Sequence, residues 1–341
     1  MKVIVTGGTG YIGSHTIVDL MENGFEVICI DNLSRSKEYA LTGIEKITGK
    51  KPTFYNIDLC NRQATFQLFN EHKDAVGIIH FAALKSVGES VEKPLLYYAN
   101  NLDSLLNVLM AIKMYNMPNF VFSSSCAAYG NADELPVTEN TPIKEAESPY
   151  AHTKQIGEDI IKNFSKVNPV QQNILLRYFN PIGAHPSANI GEIPIDKPNN
   201  LVPYITQTAI GKLEQLTVFG NDYDTRDGSN IRDYIHVCDI AHAHTLALQY
   251  LIDKKNESNL EVFNLGTGNG VSVLEAITAF EKVSGKKLNY TIGARRAGDV
   301  VAVYADNTKA NAKLHWSCQY NLEDAMLSAW NWELKMRELG L

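Results

Sequence analysis

Val3-Ile4-Val5-Thr6-Gly7-Gly8-Thr9-Gly10-Tyr11-Ile12-Gly13 decides the fold. A short β-branched run of this kind forms a buried strand. The small residues after it let a backbone turn come close to a pyrophosphate. The helical pattern from Ser14 to Asn23 then aims free N–H groups and a positive dipole end at the same point. The glycines satisfy two spacings, G-x-G-x-x-G at Gly8, Gly10 and Gly13 and G-x-x-G-x-x-G at Gly7, Gly10 and Gly13. A glycine triplet alone can also close a ligand-free turn, so a second element must decide. Val27-Ile28-Cys29-Ile30 supplies it: an apolar strand that ends in Asp31, 18 residues after Gly13. An acid at that spacing accepts hydrogen bonds from an adenosine ribose and repels a 2′-phosphate, so NAD is expected rather than NADP. Arg35 and Lys37 close by pull the other way.

Strand–helix units continue along the chain. Pro52 to Ile57 leads into Asp58 and Leu59, placed to meet the adenine, and Ala75 to His80 ends in the small-residue run Phe81-Ala82-Ala83, against which a cofactor can lie. Pro94 to Tyr115 reads as a long amphipathic helix, and Phe120-Val121-Phe122 as a strand ending in Ser123-Ser124-Ser125. Asn173 to Arg177 is a sixth strand, running into Tyr178-Phe179-Asn180. Strands alternating with helices predict an α/β fold built on a Rossmann-type doubly wound parallel sheet, with ligands beyond the carboxyl ends of its strands. After residue 180, Pro and Gly become frequent and the elements shorten, as in a smaller α/β C-terminal lobe that binds substrate. The expected division is an NAD-binding domain over 1–180, with 235–265 returning to it, and a substrate domain over 181–234 and 266–341. Helical periodicity resumes in Asn200 to Lys212 and Val237 to Ile252, and Val262 to Leu265 reads as a strand.

Ser148-Pro149-Tyr150-Ala151-His152-Thr153-Lys154 carries a strong helix-start signal, a capping serine followed by proline in the first turn. Tyr150 and Lys154 then stand at i and i+4 on one face. A phenol needs roughly 4 kcal/mol of preferential phenolate stabilisation to bring its pKa from ~10 to ~7. An adjacent ammonium and the helix N-terminus offer charge of the right sign. Taken alone, such a pair is most often a surface feature. Ser125 ends the fifth strand and should face the same crevice, so a hydroxyl, a phenol and an ammonium converge there as an acid/base device.

Composition narrows the function classes. The chain has 341 residues, 45% of them hydrophobic, and a net charge of −7. That balance argues against nucleic acid or an anionic membrane as the main partner. Five scattered cysteines, Cys29, Cys60, Cys126, Cys238 and Cys318, form no C-x-x-C pair, so reduced thiols in a cytoplasmic protein are expected rather than a disulfide frame or a metal site. Only three apolar residues separate Lys2 from the glycine turn, too few for a signal-peptide core, and no run reaches transmembrane length. His242 and His244 stand two apart on a helix and face different ways, which does not suit a metal pair.

Taken together, these motifs resemble the extended short-chain dehydrogenase/reductases, and among them the UDP-glucose (UDP-galactose) 4-epimerases, over essentially the whole chain. The markers are Thr6-Gly7-Gly8 to Gly13, Asp31-Asn32-Leu33, His80 to Lys85 with Val87-Gly88-Glu89-Ser90, Asn100-Asn101, Ser123-Ser124-Ser125, Tyr150 with Lys154, and Leu176 to Asn180. The second half adds Asn199-Asn200-Leu201, Phe219 to Tyr223 and Ile231-Arg232-Asp233-Tyr234-Ile235-His236. The resemblance implies an enzyme of galactose metabolism, commonly a homodimer through helices 94–115 and 150–167, that inverts C4 of a UDP-hexose through a 4-keto sugar. Tyr150 would be the base, Lys154 would hold its pKa down and bond the nicotinamide ribose, and Ser125 would position the sugar hydroxyl. It further implies an NAD site of Gly7, Gly10, Tyr11, Ile12, Gly13, Asp31, Asn32, Asp58, Leu59, Phe81, Ala82, Ala83, Lys85, Asn100, Ser123, Tyr150, Lys154 and Phe179. The substrate site it implies is Lys85, Ser125, Tyr150, Asn180, Asn200, Leu201, Arg232, Tyr234, Arg296, Asp299 and Val303, with no metal.

Two departures refine that expectation. The 4,6-dehydratases of this fold carry a Thr-Asp-Glu set where this chain has Ser125-Cys126-Ala127, so dehydration is not expected, and Cys126 reads as a packing residue rather than an acid. Four residues after Asp299, where many 4-epimerases carry a tyrosine, stands Val303, with Tyr304 beside it. A small residue there goes with room for a 2-acetamido group, so UDP-GlcNAc and UDP-GalNAc are expected as additional substrates. The competing readings are a UDP-glucuronate epimerase or decarboxylase of the same fold and a non-catalytic NAD-sensing module.

Overall fold

Seven parallel strands form the central sheet: β1 (Lys2–Thr6), β2 (Glu26–Asp31), β3 (Thr53–Asn56), β4 (Gly77–His80), β5 (Asn119–Ser125), β6 (Gln172–Tyr178) and β7 (Leu260–Leu265). Their spatial order is β7-β6-β5-β4-β1-β2-β3, the reversal falling at β1. The computed structural model describes residues 1–195, 198, 200–296 and 299–341; Asn199, named in a motif above, lies outside the described residues.

Side chains of these strands alternate between two apolar layers, as the period of two requires. Val3, Val5, Val27, Cys29, Ile79, Val121, Ile174 and Leu176 face one layer, covered by α1 (Tyr11–Glu22) and α4 (Val237–Ile252). Ile4, Ile28, Ile30, Ile78, Phe120, Phe122 and Leu175 face the other, covered by α2 (Pro94–Tyr115) and α3 (Pro149–Val167). Both faces are therefore buried, which is why the strands read as continuous apolar runs. Register pairs Thr6 with Ile30 and His80, His80 with Phe122, and Ser125 with Tyr178. The strand ends thus lie side by side along one edge, and the chain leaves that edge at Gly7, Phe81 and Cys126.

The second lobe has its own core of Ile182, Val202, Ile205, Val218, Phe280 and Trp330. Its strands are short: Ile231–Arg232 pairs with Val271–Ser272 and Ala302–Val303, and Asn180–Ile182 pairs with Tyr234–His236. Asp233, fully buried, ties these pieces together. Its carboxylate accepts from the Thr267 N–H and hydroxyl, the Gly268 N–H and the Ala305 N–H. A buried carboxylate persists only with such donors. Strand β7 and helix α4 lie on the large sheet. The helix Thr308–Leu314 and Trp316 belong to the core of the large lobe, where Ala310, Leu314 and Trp316 pack with the sheet residues.

His242 turns outward to Asp19 at 3.1 Å, whereas His244 is buried beside Phe81. Among the described residues, no helix is long and apolar enough to cross a membrane.

Candidate active site

At the end of β1 the glycine turn forms a cradle that side chains would fill. Gly7 has φ of +68°, and a Cβ on it would stand 2.7 Å from the Ala82 nitrogen. A Cβ on Gly13 would stand 2.3 Å from the Gly7 carbonyl oxygen, so α1 can approach the turn this closely only without one. Gly10 caps α1 with no side chain accepting from the first turn, which leaves those N–H groups to an anion in the cleft. Asp31 stands across from them: its carboxylate accepts from Thr9 N–H at 3.2 Å, Leu33 N–H at 2.9 Å and Ser36 Oγ at 3.1 Å. Arg35 donates to both oxygens of Glu89 at 2.7 and 2.9 Å, so the cation that argued for a 2′-phosphate is engaged by a carboxylate. Asn32, Asp58, Leu59 and Asn100 line the same end of the cleft. The side-chain-free cradle, the uncapped helix start and the acid at the strand end fit a dinucleotide with an unphosphorylated ribose.

Farther along the strand ends lies the acid/base group. Ser148 caps α3, its hydroxyl accepting from Ala151 N–H at 3.2 Å, and Pro149 occupies the first turn. Tyr150 is buried against Leu84, Tyr97 and Ala127. Burial raises its phenol well above the ordinary value and nearby Tyr178 adds to this, while the Ser125 side chain pulls it back. Lys154 is also buried, which lowers its pKa to about 8 against the opposing pull of Glu158. Its ammonium donates to the Ser123 carbonyl at 2.7 Å and stands 4.9 Å from the Phe122 ring centroid. Tyr150 and Lys154 keep the i, i+4 spacing along α3. Beneath Lys154, Glu158 pairs with Arg177 and accepts from Ser124.

The second lobe forms the opposite wall. Arg232 donates to the Ile231 and Val300 carbonyls at 2.8 and 2.9 Å and faces Asp299 at 3.5 Å. Arg296 reaches the same Asp299 oxygen at 2.8 Å, so two guanidiniums share one carboxylate and leave a net positive charge. Arg295 instead pairs with Asp222 and lies over Tyr223. Val303, opposite Arg232 in register, lines the cleft, whereas Tyr304 turns toward Gly270. Lys85 Nζ stands 2.7 Å from Glu192 and 5.9 Å from the Tyr11 ring centroid.

One cavity of about 1480 Å³ joins these walls. Gly7, Gly10, Tyr11, Ile12, Gly13, Phe81, Ala82, Ala83, Ser125, Tyr150, Lys154, Phe179, Asn180, Asn200, Leu201, Arg232, Tyr234, Asp299 and Val303 all border it. Ser123 does not; it lies beneath the floor, its hydroxyl 2.8 Å from that of Tyr178. Cys126 borders the cavity but packs with Tyr129, Val137 and Phe179, and burial pushes its thiol up to about 11, which suits packing rather than acid chemistry. Sequence reasoning missed Tyr178 and Glu192 as cleft residues. Tyr178 was available as the residue at the very end of β6. Glu192 sits in a loop without periodicity and offered no signal.

The family model described as GDP-mannose 4,6 dehydratase matches residues 4–328. A UDP-glucose 4-epimerase of Bacillus subtilis is 47% identical over 333 residues, covering 98% of this chain and 97% of that protein. Among solved structures, the UDP-glucose 4-epimerase of Stenotrophomonas maltophila, with bound NAD and formylated UDP-arabinopyranose, superposes with a TM-score of 0.96 at 42% identity, covering 99% of each chain. The UDP-Glc/GlcNAc 4-epimerase of Campylobacter jejuni does so with a TM-score of 0.85 at 36% identity, covering 98% of this chain and 99% of that one.

Proposed function

The chain belongs to the UDP-glucose 4-epimerases, within the family whose model is described as GDP-mannose 4,6 dehydratase, and we propose how its residues divide the work. It is an NAD-dependent isomerase that interconverts UDP-glucose and UDP-galactose. NAD, when bound, would supply a hydride acceptor for C4 of the sugar and a positively charged nicotinamide ring. Tyr150 takes the proton from the C4 hydroxyl and gives it back. Ser125, whose hydroxyl borders the same cavity and accepts from Ala127 N–H at 3.2 Å, holds the C4 hydroxyl in line. Lys154, fixed on the Ser123 carbonyl at the cleft floor, orients the cofactor ribose and supplies a buried positive charge. Arg232 and Arg296, with one carboxylate between them, retain charge for a diphosphate. Asn180, Asn200, Leu201 and Tyr234 complete the nucleotide wall.

The observation that carries this reading is that Ser125, Tyr150 and Lys154 open into the same cavity as the dinucleotide cradle. The test is to add UDP-galactose to the purified protein without NAD. UDP-glucose should form with little net NADH, and no conversion by protein that carries NAD would refute the reading.

Val303 on the cleft wall, with Tyr304 turned away, supports a wider substrate range that includes UDP-GlcNAc and UDP-GalNAc. Comparable kcat/KM on the two substrate pairs is expected, and no turnover of the acetamido pair would overturn it. We also propose an NAD-binding domain of 1–180, 235–265 and 308–316 and a UDP-sugar domain made from the rest. A homodimer through α2 and α3 is supported by exposed Leu95, Leu96, Met110 and Met114 on α2 and Val167 on α3. Light scattering that gives the monomer mass would refute it. Five free thiols support a cytoplasmic location.

A further inference from the structure

Six cations line the described cleft: Arg35, Lys37, Lys85, Lys154, Arg232 and Arg296. Arg35 and Lys37 follow Asp31 at the adenosine end, and Arg232 and Arg296 share Asp299 on the nucleotide wall. Lys154 is held under the floor by the Ser123 carbonyl. That leaves Lys85 on the cleft wall. It follows Leu84, which packs directly on Tyr150, and its side chain is 60% exposed, so its ammonium can turn to a ligand.

Lys85 already has a partner, and that partner is built in. Glu192 Oε1 accepts from Lys85 Nζ at 2.7 Å, and Asn200 Nδ2 donates to the same carboxylate at 3.2 and 3.5 Å. The backbone behind it is locked: Trp332 Nε1 donates to the Glu192 carbonyl at 2.8 Å, and a Cβ on Gly191 would stand 2.4 Å from the Trp332 ring. A carboxylate anchored on the second lobe therefore reaches Lys85 and neutralises it. In a hexopyranose the C6 substituent is two bonds from C4, so with O4 at Tyr150 it reaches the surroundings of Leu84 and Lys85.

We infer that Glu192 sets the preference for a neutral hydroxymethyl group at C6, by holding Lys85 and opposing the negative charge of a uronic acid. This rests on Tyr150 being the base at C4. A hexose loses nothing to a carboxylate that its hydroxyl can hydrogen-bond. A C6 carboxylate must both displace Glu192 from Lys85 and remain beside it. Glu192 is thus a specificity-determining residue, and the chain is set against the uronate chemistry that the same fold can host.

The experiment uses Glu192→Gln in the NAD-loaded enzyme, with inhibition constants for UDP-glucuronate and for UDP measured against UDP-galactose epimerisation. Glutamine keeps an acceptor for Asn200 and removes the charge. UDP-glucuronate should bind at least tenfold tighter than to wild type while UDP changes less than threefold. Adding Lys85→Met to the variant should abolish that gain. An unchanged constant for UDP-glucuronate, or an equal gain for UDP, overturns the inference, the second because it would mean a general loss of repulsion. Should wild type fail to epimerise UDP-galactose, the failure lies with the proposed function. In that case direct calorimetric binding of UDP-glucuronate and UDP to both proteins still decides the role of Glu192.

Discussion

Glu158→Gln tests the foundation on which the active-site helix stands. Glu158 and Arg177 are 6% and 5% exposed, and the carboxylate accepts from Arg177 Nε at 2.9 Å, Arg177 Nη2 at 2.5 Å and Ser124 Oγ at 2.5 Å. Glutamine keeps the shape but leaves the guanidinium as an uncompensated buried charge, a loss of about 3–5 kcal/mol. With unfolding entropy of about 2.1 cal/mol/K per residue, a chain of 341 residues has about 0.7 kcal/mol/K at its midpoint. The melting temperature should therefore fall by roughly 4–7 °C. Replacing both partners, as Glu158→Gln with Arg177→Met, removes the stranded charge and should recover most of the loss. There is also a functional readout. Glu158 holds up the pKa of Lys154, which burial has brought down to about 8, so its removal lets that pKa fall further. The alkaline limb of kcat should then move to lower pH. Calorimetry of the NAD-loaded enzyme and a pH–rate profile check both parts. A midpoint shift under 1–2 °C, or a double variant no better than the single one, would refute the stability argument. An alkaline limb that stays put would refute the coupling to Lys154.

Tyr150→Phe should retain NAD and lose about 10²–10⁴-fold in kcat, the range for a removed general base; full activity would remove Tyr150 from its role. Val303→Tyr adds a phenol to the cleft wall beside the sugar. Overpacking of about 1–3 kcal/mol should lower kcat/KM for the acetamido substrates by ten- to hundredfold relative to UDP-glucose, and an unchanged ratio would show that position 303 does not set the room. Acid should weaken the fold steeply. Burial holds His15 and His80 down to about 3 and His236 and His244 down to about 4, so the native chain leaves them neutral where the unfolded chain binds protons. Stability is thus highest above pH ~6.5 and drains as pH falls toward 4, by up to ~1.4 kcal/mol per pH unit for each histidine. Urea midpoints at pH 7.5, 6 and 5 check this, and a flat series would refute it.

The large sheet was legible because each of its strands is apolar on both faces and ends in small or polar residues. Val3 to Gly13 and Val27 to Asp31 carry strand, turn and acid within one short span, so local chemistry and tertiary role coincide. The helix start at Ser148-Pro149 was readable for the same reason. Helix Leu201–Ala209 ended sooner than the periodicity to Lys212 suggested. An amphipathic helix such as Thr308–Leu314 does not say which of two lobes covers its apolar face. That choice is made by Ala310, Leu314 and Trp316 finding the sheet layer of Val3 and Phe263.

At the site, spacing told which residues meet but not what they do to one another. Tyr150 and Lys154 share a helix face, and the Lys154 ammonium also meets the Ser123 carbonyl, a backbone group that no side-chain pattern announces. The consequence is physical. Burial disfavours the charged form of each group, raising the phenol and lowering the ammonium, so the buried helix face by itself holds a protonated tyrosine. Bringing that phenol into range of neutral pH requires more than the ~4 kcal/mol that a solvated phenol would need. The Ser125 side chain supplies part of it, and positive charge in the cleft must supply the rest. On the proposed role of Tyr150 as base, its strength depends on the charges gathered around it, among them Lys154, whose pKa Glu158 holds up.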